Sequence, residues 1–79
     1  MPRMDLETFR TRRGLSYKEL ADLIEVTQPK QARSYAIGQS WPRSAQLEKI
    51  LLKAKGVTLT AMHRRRVCFL RQIEETDAA

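Results

Sequence analysis

The segment Leu15–Gly38 constrains the fold of this chain more than any other, because signals for two short helices follow one another within it. Ser16 is followed three residues later by Glu19, the capping-box pattern that begins a helix. Pro29 is a second start signal, since the first helical turn needs no N–H at that position. The glycine that closes the segment is suited to end the second helix. The sequence therefore predicts two helices joined by a tight turn, over about 17–24 and 28–37.

The second of these helices has few residues suited to a core. Ala32 and Tyr35 are its main apolar positions, and their spacing puts them on one face. The other side chains are amides, a hydroxyl and cations, groups that match the hydrogen-bonding edges of bases. For each of them the alternative is a phosphate contact or no contact. The candidate base-contacting residues are Gln28, Lys30, Gln31, Arg33 and Ser34.

A wider set of motifs surrounds these helices: Arg13-Gly14-Leu15-Ser16, Glu19-Leu20-Ala21, Ile24-Glu25-Val26-Thr27, Tyr35-Ala36-Ile37-Gly38 with Pro42, Leu47-Glu48-Lys49-Ile50 and Gly56-Val57-Thr58. Over about 6–62 this order resembles the helix-turn-helix of lambda-repressor-like (Cro/cI-type, XRE) DNA-binding domains. The resemblance implies an all-α fold, a compact five-helix bundle. It also implies a bacterial or phage transcription regulator that binds operator DNA as a dimer.

The chain departs from the family pattern in three places. Many relatives pair an arginine at the position of Arg10 with a glutamate, and here that glutamate is replaced by Ala36. Arg10 is therefore expected to face solvent, phosphate or another carboxylate such as Glu19 or Asp22. Glu25 stands where relatives often carry glycine in the turn. The connection to the second helix is one residue longer than the commonest spacing, which leaves the register of that helix open by one residue.

The residues before the fourth helix are expected to contact phosphate, because the free amides at a helix N-terminus form an anion site, and the family resemblance implies phosphate contact in the same region. Tyr17 occupies a position where relatives often carry a glutamine that meets a phosphate, and a packed surface tyrosine is an equal alternative. The candidate phosphate-contacting residues are Tyr17, Lys18, Thr27, Gln39, Ser40, Arg43 and Ser44.

Helices are also expected on both sides of this pair. Asp5 is an N-cap candidate for a first helix. A fourth helix is expected from 44 or 45 to 54, and Thr58 or Thr60 is expected to cap a last one. The expected inward positions outside the central segment are Leu6, Phe9, Leu47, Ile50, Leu51, Leu59 and Met62.

The chain divides into a flexible N-terminal arm over 1–4, a DNA-binding domain over 5–62 and a C-terminal helical extension over 63–79 with a frayed end. The extension is too apolar for a lone exposed helix, so it either folds back or pairs with a second copy. Pairing is favoured because a two-fold contact mirrors a palindromic operator. The expected dimer-interface residues are Val67, Phe69, Leu70 and Ile73.

Composition agrees with an anionic partner. Fifteen Lys and Arg against nine Asp and Glu give a net charge of +6, and basic domains commonly bind nucleic acid. The single cysteine fits a reducing cytoplasm, and neither an apolar span nor a signal-peptide pattern is present. We find no catalytic constellation, no metal-ligand spacing around His63 and no cofactor motif. No small-molecule effector is expected, because 79 residues leave no room for an effector domain.

Two functions remain open at this point. The first is a sequence-specific double-stranded DNA-binding regulator, a repressor or autorepressor that binds an inverted repeat as a homodimer through the helix 28–37. The alternative is an antitoxin-like protein-interaction module that uses the C-terminal helix, with DNA binding secondary. The operator sequence and the regulated gene cannot be read from the chain.

Overall fold

In the computed structural model, five α-helices make up the described part of the chain, which is 3–78 for the backbone and 3–74 for the side chains. The predicted all-helical architecture is thus confirmed over that range. The helices are α1 (Leu6–Arg13), α2 (Tyr17–Leu23), α3 (Pro29–Ile37), α4 (Ser44–Lys53) and α5 (Leu59–Ala78).

The predicted N-cap residues begin the first two helices. Asp5 caps α1 by accepting a hydrogen bond from the Thr8 amide at 2.9 Å. Gly14 ends α1 in the left-handed conformation, at φ 66°. Ser16 and Glu19 form both halves of the capping box that begins α2. These bonds satisfy amides that have no partner inside a helix, which is why the helices start where they do.

The turn between α2 and α3 is built without glycine. Glu25 adopts the left-handed conformation at φ 59°, which costs a non-glycine residue ~1–2 kcal/mol. Its carboxylate lies 3.7 Å from the Lys49 ammonium and 3.9 Å from that of Lys53. The helix that follows begins at Pro29, so Gln28 is the extended N-cap residue and not the first residue of the helix.

The core lies where α1, α2, α3 and α4 meet. Leu6, Leu20, Ile24 and Ile50 are fully buried in it, and Ala32 and Tyr35 contribute from α3. Leu47 and Leu51 are half-buried. The prediction that Leu59 faces inward is wrong, because that side chain is 45% exposed at the first turn of α5. The buried Val57 and Met62 on either side of it take the inward positions.

The start of α5 packs against the end of α3. The Arg66 guanidinium donates to the carbonyl oxygens of Gly38 at 3.1 Å and Gln39 at 3.0 Å. A Cβ at Gly38 would lie 2.8 Å from the Arg66 Cα, so the two backbones touch at this point. One residue earlier, Arg65 forms an ion pair with the buried Asp5 at the start of α1. α5 thereby connects the beginning of the chain to the end of α3.

The N-terminal segment joins the fold sooner than predicted. Met4 was expected to be the last residue of a flexible arm, but its amide donates to the Gly56 carbonyl at 3.1 Å. Its own carbonyl accepts from the Thr58 amide at 3.1 Å, which makes an isolated parallel bridge with Val57. The two backbone bonds hold Met4 beside the start of α5. Met1 and Pro2, the first residues of the predicted arm, lie outside the described residues.

Candidate nucleic-acid interface

The outward face of α3 carries four of the five predicted base-contacting residues, and the fifth, Gln28, directly precedes the helix. Gln28, Lys30 and Arg33 are exposed, whereas Gln31 and Ser34 are half-buried. The Ser34 hydroxyl donates to the Lys30 carbonyl at 3.1 Å, and its oxygen keeps lone pairs for a ligand. None of the five is sealed beneath another element.

Gln31 belongs to a hydrogen-bond chain that the sequence did not reveal. Its Nε2 donates to the Tyr35 hydroxyl at 2.8 Å, and that hydroxyl donates to the Gln46 Oε1 at 2.6 Å. Gln31 and Tyr35 are four residues apart on α3, a spacing that indicates contact. Gln46 lies in the first turns of α4, and no local pattern connects it to α3. These two hydrogen bonds join the outward face of α3 to the start of α4.

Tyr17 is a phosphate candidate at the start of α2, the helix that packs on α3. The Tyr17 hydroxyl donates to the Glu7 carboxylate at 2.7 Å. Burial and this hydrogen bond raise the pKa of Tyr17, and the positive charges of Arg10 and Arg33 partly offset the rise.

The remaining candidates for phosphate contact surround α3. Tyr17 and Ser40 are half-buried and the others are exposed. Arg43 is the N-cap residue of α4 and makes no side-chain cap bond, so the first amides of that helix keep free donors. The exposed candidates are Lys18, Thr27, Gln39, Arg43 and Ser44.

Arg10 has a partner that the sequence analysis did not predict. It pairs with Glu7, one turn earlier in α1, donates to the Leu15 carbonyl at 2.8 Å and lies 4.3 Å over the Tyr17 ring. Arg10 was expected to face solvent, phosphate or another carboxylate such as Glu19 or Asp22. It does pair with another carboxylate, but with neither of the two that were named. Glu19 accepts from the Ser16 amide in the capping box, while Glu7 is already within reach on the same helix.

The charges of the domain are unevenly distributed. No acidic residue lies between Glu25 and Glu48, a stretch that contains all of α3 and the start of α4. Glu7 and Asp5 are engaged in ion pairs with arginines. Within 3–74, four cations of the α2, α3 and α4 surface make no hydrogen bond or ion pair: Lys18, Lys30, Arg33 and Arg43. The positive charges of these four side chains are therefore not paired within the described residues.

The four predicted dimer-interface residues follow Arg66, which contacts the end of α3, along α5. Val67 and Phe69 are half-buried, whereas Leu70 is 46% exposed and Ile73 is 45% exposed. Leu70 and Ile73 are three residues apart, so they share one helix face. The far end of α5 thus presents apolar surface to solvent.

Comparison with protein-family models, curated proteins and solved structures found no match to this chain. Among the described helices, none combines the length and the apolar character needed to cross a bilayer. Residues 3–74 bring together no cluster of three or more histidine, cysteine or acidic side chains that could hold a metal ion.

Proposed function

We propose that this protein is a sequence-specific double-stranded DNA-binding transcriptional regulator, a repressor or autorepressor of the helix-turn-helix type. The observation that carries the proposal is the exposed polar face of α3, a helix that packs on α2. The hydrogen bond between Tyr35 and Gln46 joins the same helix to the start of α4. A helix that enters the major groove with helix N-termini on both flanks can read bases while those N-termini bind phosphates.

The chemistry of the α3 face supports base reading over general attraction to DNA. Gln28 and Gln31 present carboxamides, which pair bidentately with adenine, and Arg33 presents a guanidinium, which pairs bidentately with guanine. Each such pair contributes ~1–3 kcal/mol of discrimination against the wrong base. The four unpaired cations supply the sequence-independent attraction to phosphate.

The exposed apolar face at the end of α5 supports a homodimer. Leu70 and Ile73 repeat at helical spacing and remain nearly half exposed in one copy, and a two-fold contact would bury them. Each copy then inserts one α3 into a major groove, with the half-sites about one helical turn (~34 Å) apart. The same face favours the second candidate function, an antitoxin-like module whose partner is a different protein.

DNA binding is tested by selecting duplexes from a library with a randomised core and measuring affinity by fluorescence anisotropy over a salt series. A selected site is expected to bind at least ~10³-fold more tightly than random duplex, and the preference should persist as salt rises. Arg33→Ala should weaken binding to the selected site by ~5–150-fold. Lys55→Ala removes the same charge from an exposed position in the turn after α4 and serves as the control. Equal effects of the two substitutions, or selection of no preferred site, would contradict the proposal.

The dimer is tested by sedimentation equilibrium of the double variant Leu70→Lys, Ile73→Lys. Burying the exposed half of each side chain is worth ~1 kcal/mol, so four such side chains in a dimer contribute ~4 kcal/mol, about a thousandfold in Kd. Leu52→Lys is the control, because Leu52 is 68% exposed on α4. If the double variant leaves self-association and DNA affinity unchanged but abolishes capture of a different protein, the antitoxin-like function is the correct one.

A further inference from the structure

We propose that Tyr35 and Gln46 are positioning residues that hold the amide of Gln31 in one orientation and thereby decide which base it reads. This deepens the DNA-binding function proposed above and rests on it. The observation is the hydrogen-bond chain that runs from α4 through the middle of α3 to its outward face.

Tyr35 is the fixed member of the chain. Its ring packs in the core with only 8% of the residue exposed, so the hydroxyl has little freedom to move. A phenolic hydroxyl carries one proton, and here that proton is donated to the Gln46 Oε1 at 2.6 Å. Towards Gln31 the hydroxyl can therefore only accept. It accepts from Nε2 at 2.8 Å, and this bond determines which end of the Gln31 amide points inward.

The orientation leaves a defined edge for a ligand. Gln31 keeps its Oε1 as an acceptor and the second proton of its Nε2 as a donor, side by side. This pair matches the N6 donor and the N7 acceptor of adenine in the major groove. A reversed amide exchanges donor and acceptor and no longer matches the same base edge. Holding the side chain before DNA arrives also reduces the ordering cost of binding.

The first test substitutes Tyr35→Phe, which keeps the ring and removes the hydroxyl. Affinity is measured for random duplex and for the selected duplex with each base pair exchanged in turn. We expect random-duplex affinity to stay within about twofold, while discrimination at a single A·T pair falls at least about fivefold. Gln31→Ala should remove the same discrimination, and Tyr35→Phe should have no further effect in the Gln31→Ala background. If Tyr35 had a purely structural role, Tyr35→Phe would weaken binding to all duplexes, and its effect would add to that of Gln31→Ala.

The second test changes the acceptor that fixes the direction of the hydrogen-bond chain. That acceptor belongs to Gln46, whose side chain is only half-buried and lies outside the core. Gln46→Glu can only accept, so it keeps the Tyr35 proton pointing the same way. The preferred base should be unchanged, with a uniform loss of affinity from the added negative charge. Gln46→Met removes the acceptor and should lose the discrimination as Tyr35→Phe does. If circular dichroism shows that Tyr35→Phe does not fold, the two Gln46 variants are sufficient to test the proposal.

Any of three results would overturn the inference. The first is an unchanged base preference in both Tyr35→Phe and Gln46→Met. The second is full additivity of Tyr35→Phe with Gln31→Ala, and the third is a different preferred base in Gln46→Glu. Wild-type protein that selects no duplex at all overturns the proposed function together with the inference. Wild-type protein that selects a site through a preference insensitive to these substitutions overturns the inference alone.

Discussion

Replacement of Gly38 by alanine tests the packing of α5 on α3 more directly than any other single change. Gly38 ends α3 at φ 90°, and an added Cβ would meet the Arg66 Cα at 2.8 Å and the Arg65 carbonyl oxygen at 3.0 Å. These are backbone atoms that cannot rotate away. Gly14 provides the matched control, because it ends α1 at φ 66° with nothing within 4 Å of an added Cβ.

The expected cost has two parts. Alanine in the left-handed conformation costs ~1–2 kcal/mol at either position, and the smaller entropy of the unfolded chain returns ~0.4–1 kcal/mol at both. Only at Gly38 does overpacking add ~1–3 kcal/mol. The difference between Gly38→Ala and Gly14→Ala is therefore ~1–3 kcal/mol. A domain of this size loses ~4–8 °C of Tm per kcal/mol, so the two Tm values should differ by ~5–20 °C.

Thermal unfolding followed by circular dichroism at 222 nm measures both variants under the same conditions. Urea unfolding supplies the free energies of unfolding at 25 °C. Losses that agree within about 2 °C would refute the reasoning, because they would mean that α5 does not approach the end of α3 closely enough to exclude a methyl group.

Three further predictions concern caps and hydrogen-bonded charges. Burial raises the pKa of Asp5, but hydrogen bonds from the first turn of α1 and from Arg65 outweigh it and hold that pKa below its usual value. Asp5 therefore stabilises the fold above about pH 4, and this contribution is lost as pH falls through the folded pKa. Tm should drop less between pH 5 and pH 2 in Asp5→Asn than in the wild type, and parallel curves would contradict this. Burial and the Glu7 carboxylate raise the pKa of Tyr17, so Glu7→Gln should lower it in a ¹³C NMR titration of the ring; an unchanged midpoint would exclude the contact. Ser16→Ala removes the capping box of α2 and should cost ~1 kcal/mol in urea unfolding, whereas no measurable cost would mean that the box does not stabilise the helix.

The predictions that succeeded depend on residues a few positions apart. Asp5 and Ser16 are predictable as caps because a helix terminus is satisfied by neighbours within one turn. The helix bounds and the buried faces follow from the same short spacings. Glu25 shows the limit of this reasoning, since its left-handed turn forms despite the missing glycine, and the tertiary packing of α2 on α3 outweighs the local strain.

What the sequence could not reveal are the contacts between elements far apart in the chain. Arg65 and Asp5 are sixty residues apart, and no local pattern indicates that they meet. The base-reading candidates were named as single side chains, whereas the structure joins Gln31 to Tyr35 and Gln46. The partner of Arg10 was missed for the opposite reason. Glu7 lies three residues earlier in the same helix, a spacing at which side chains meet.

The bonds from Arg66 to the end of α3 have a consequence for protein engineering. The last turn of α3 contains no basic residue. The positive charge beside the negative end of its dipole is the Arg66 guanidinium of α5. A graft of α2 and α3 onto another scaffold would leave that end uncompensated and its carbonyls without donors. Any chimera that includes α3 must therefore carry the first turns of α5 with it.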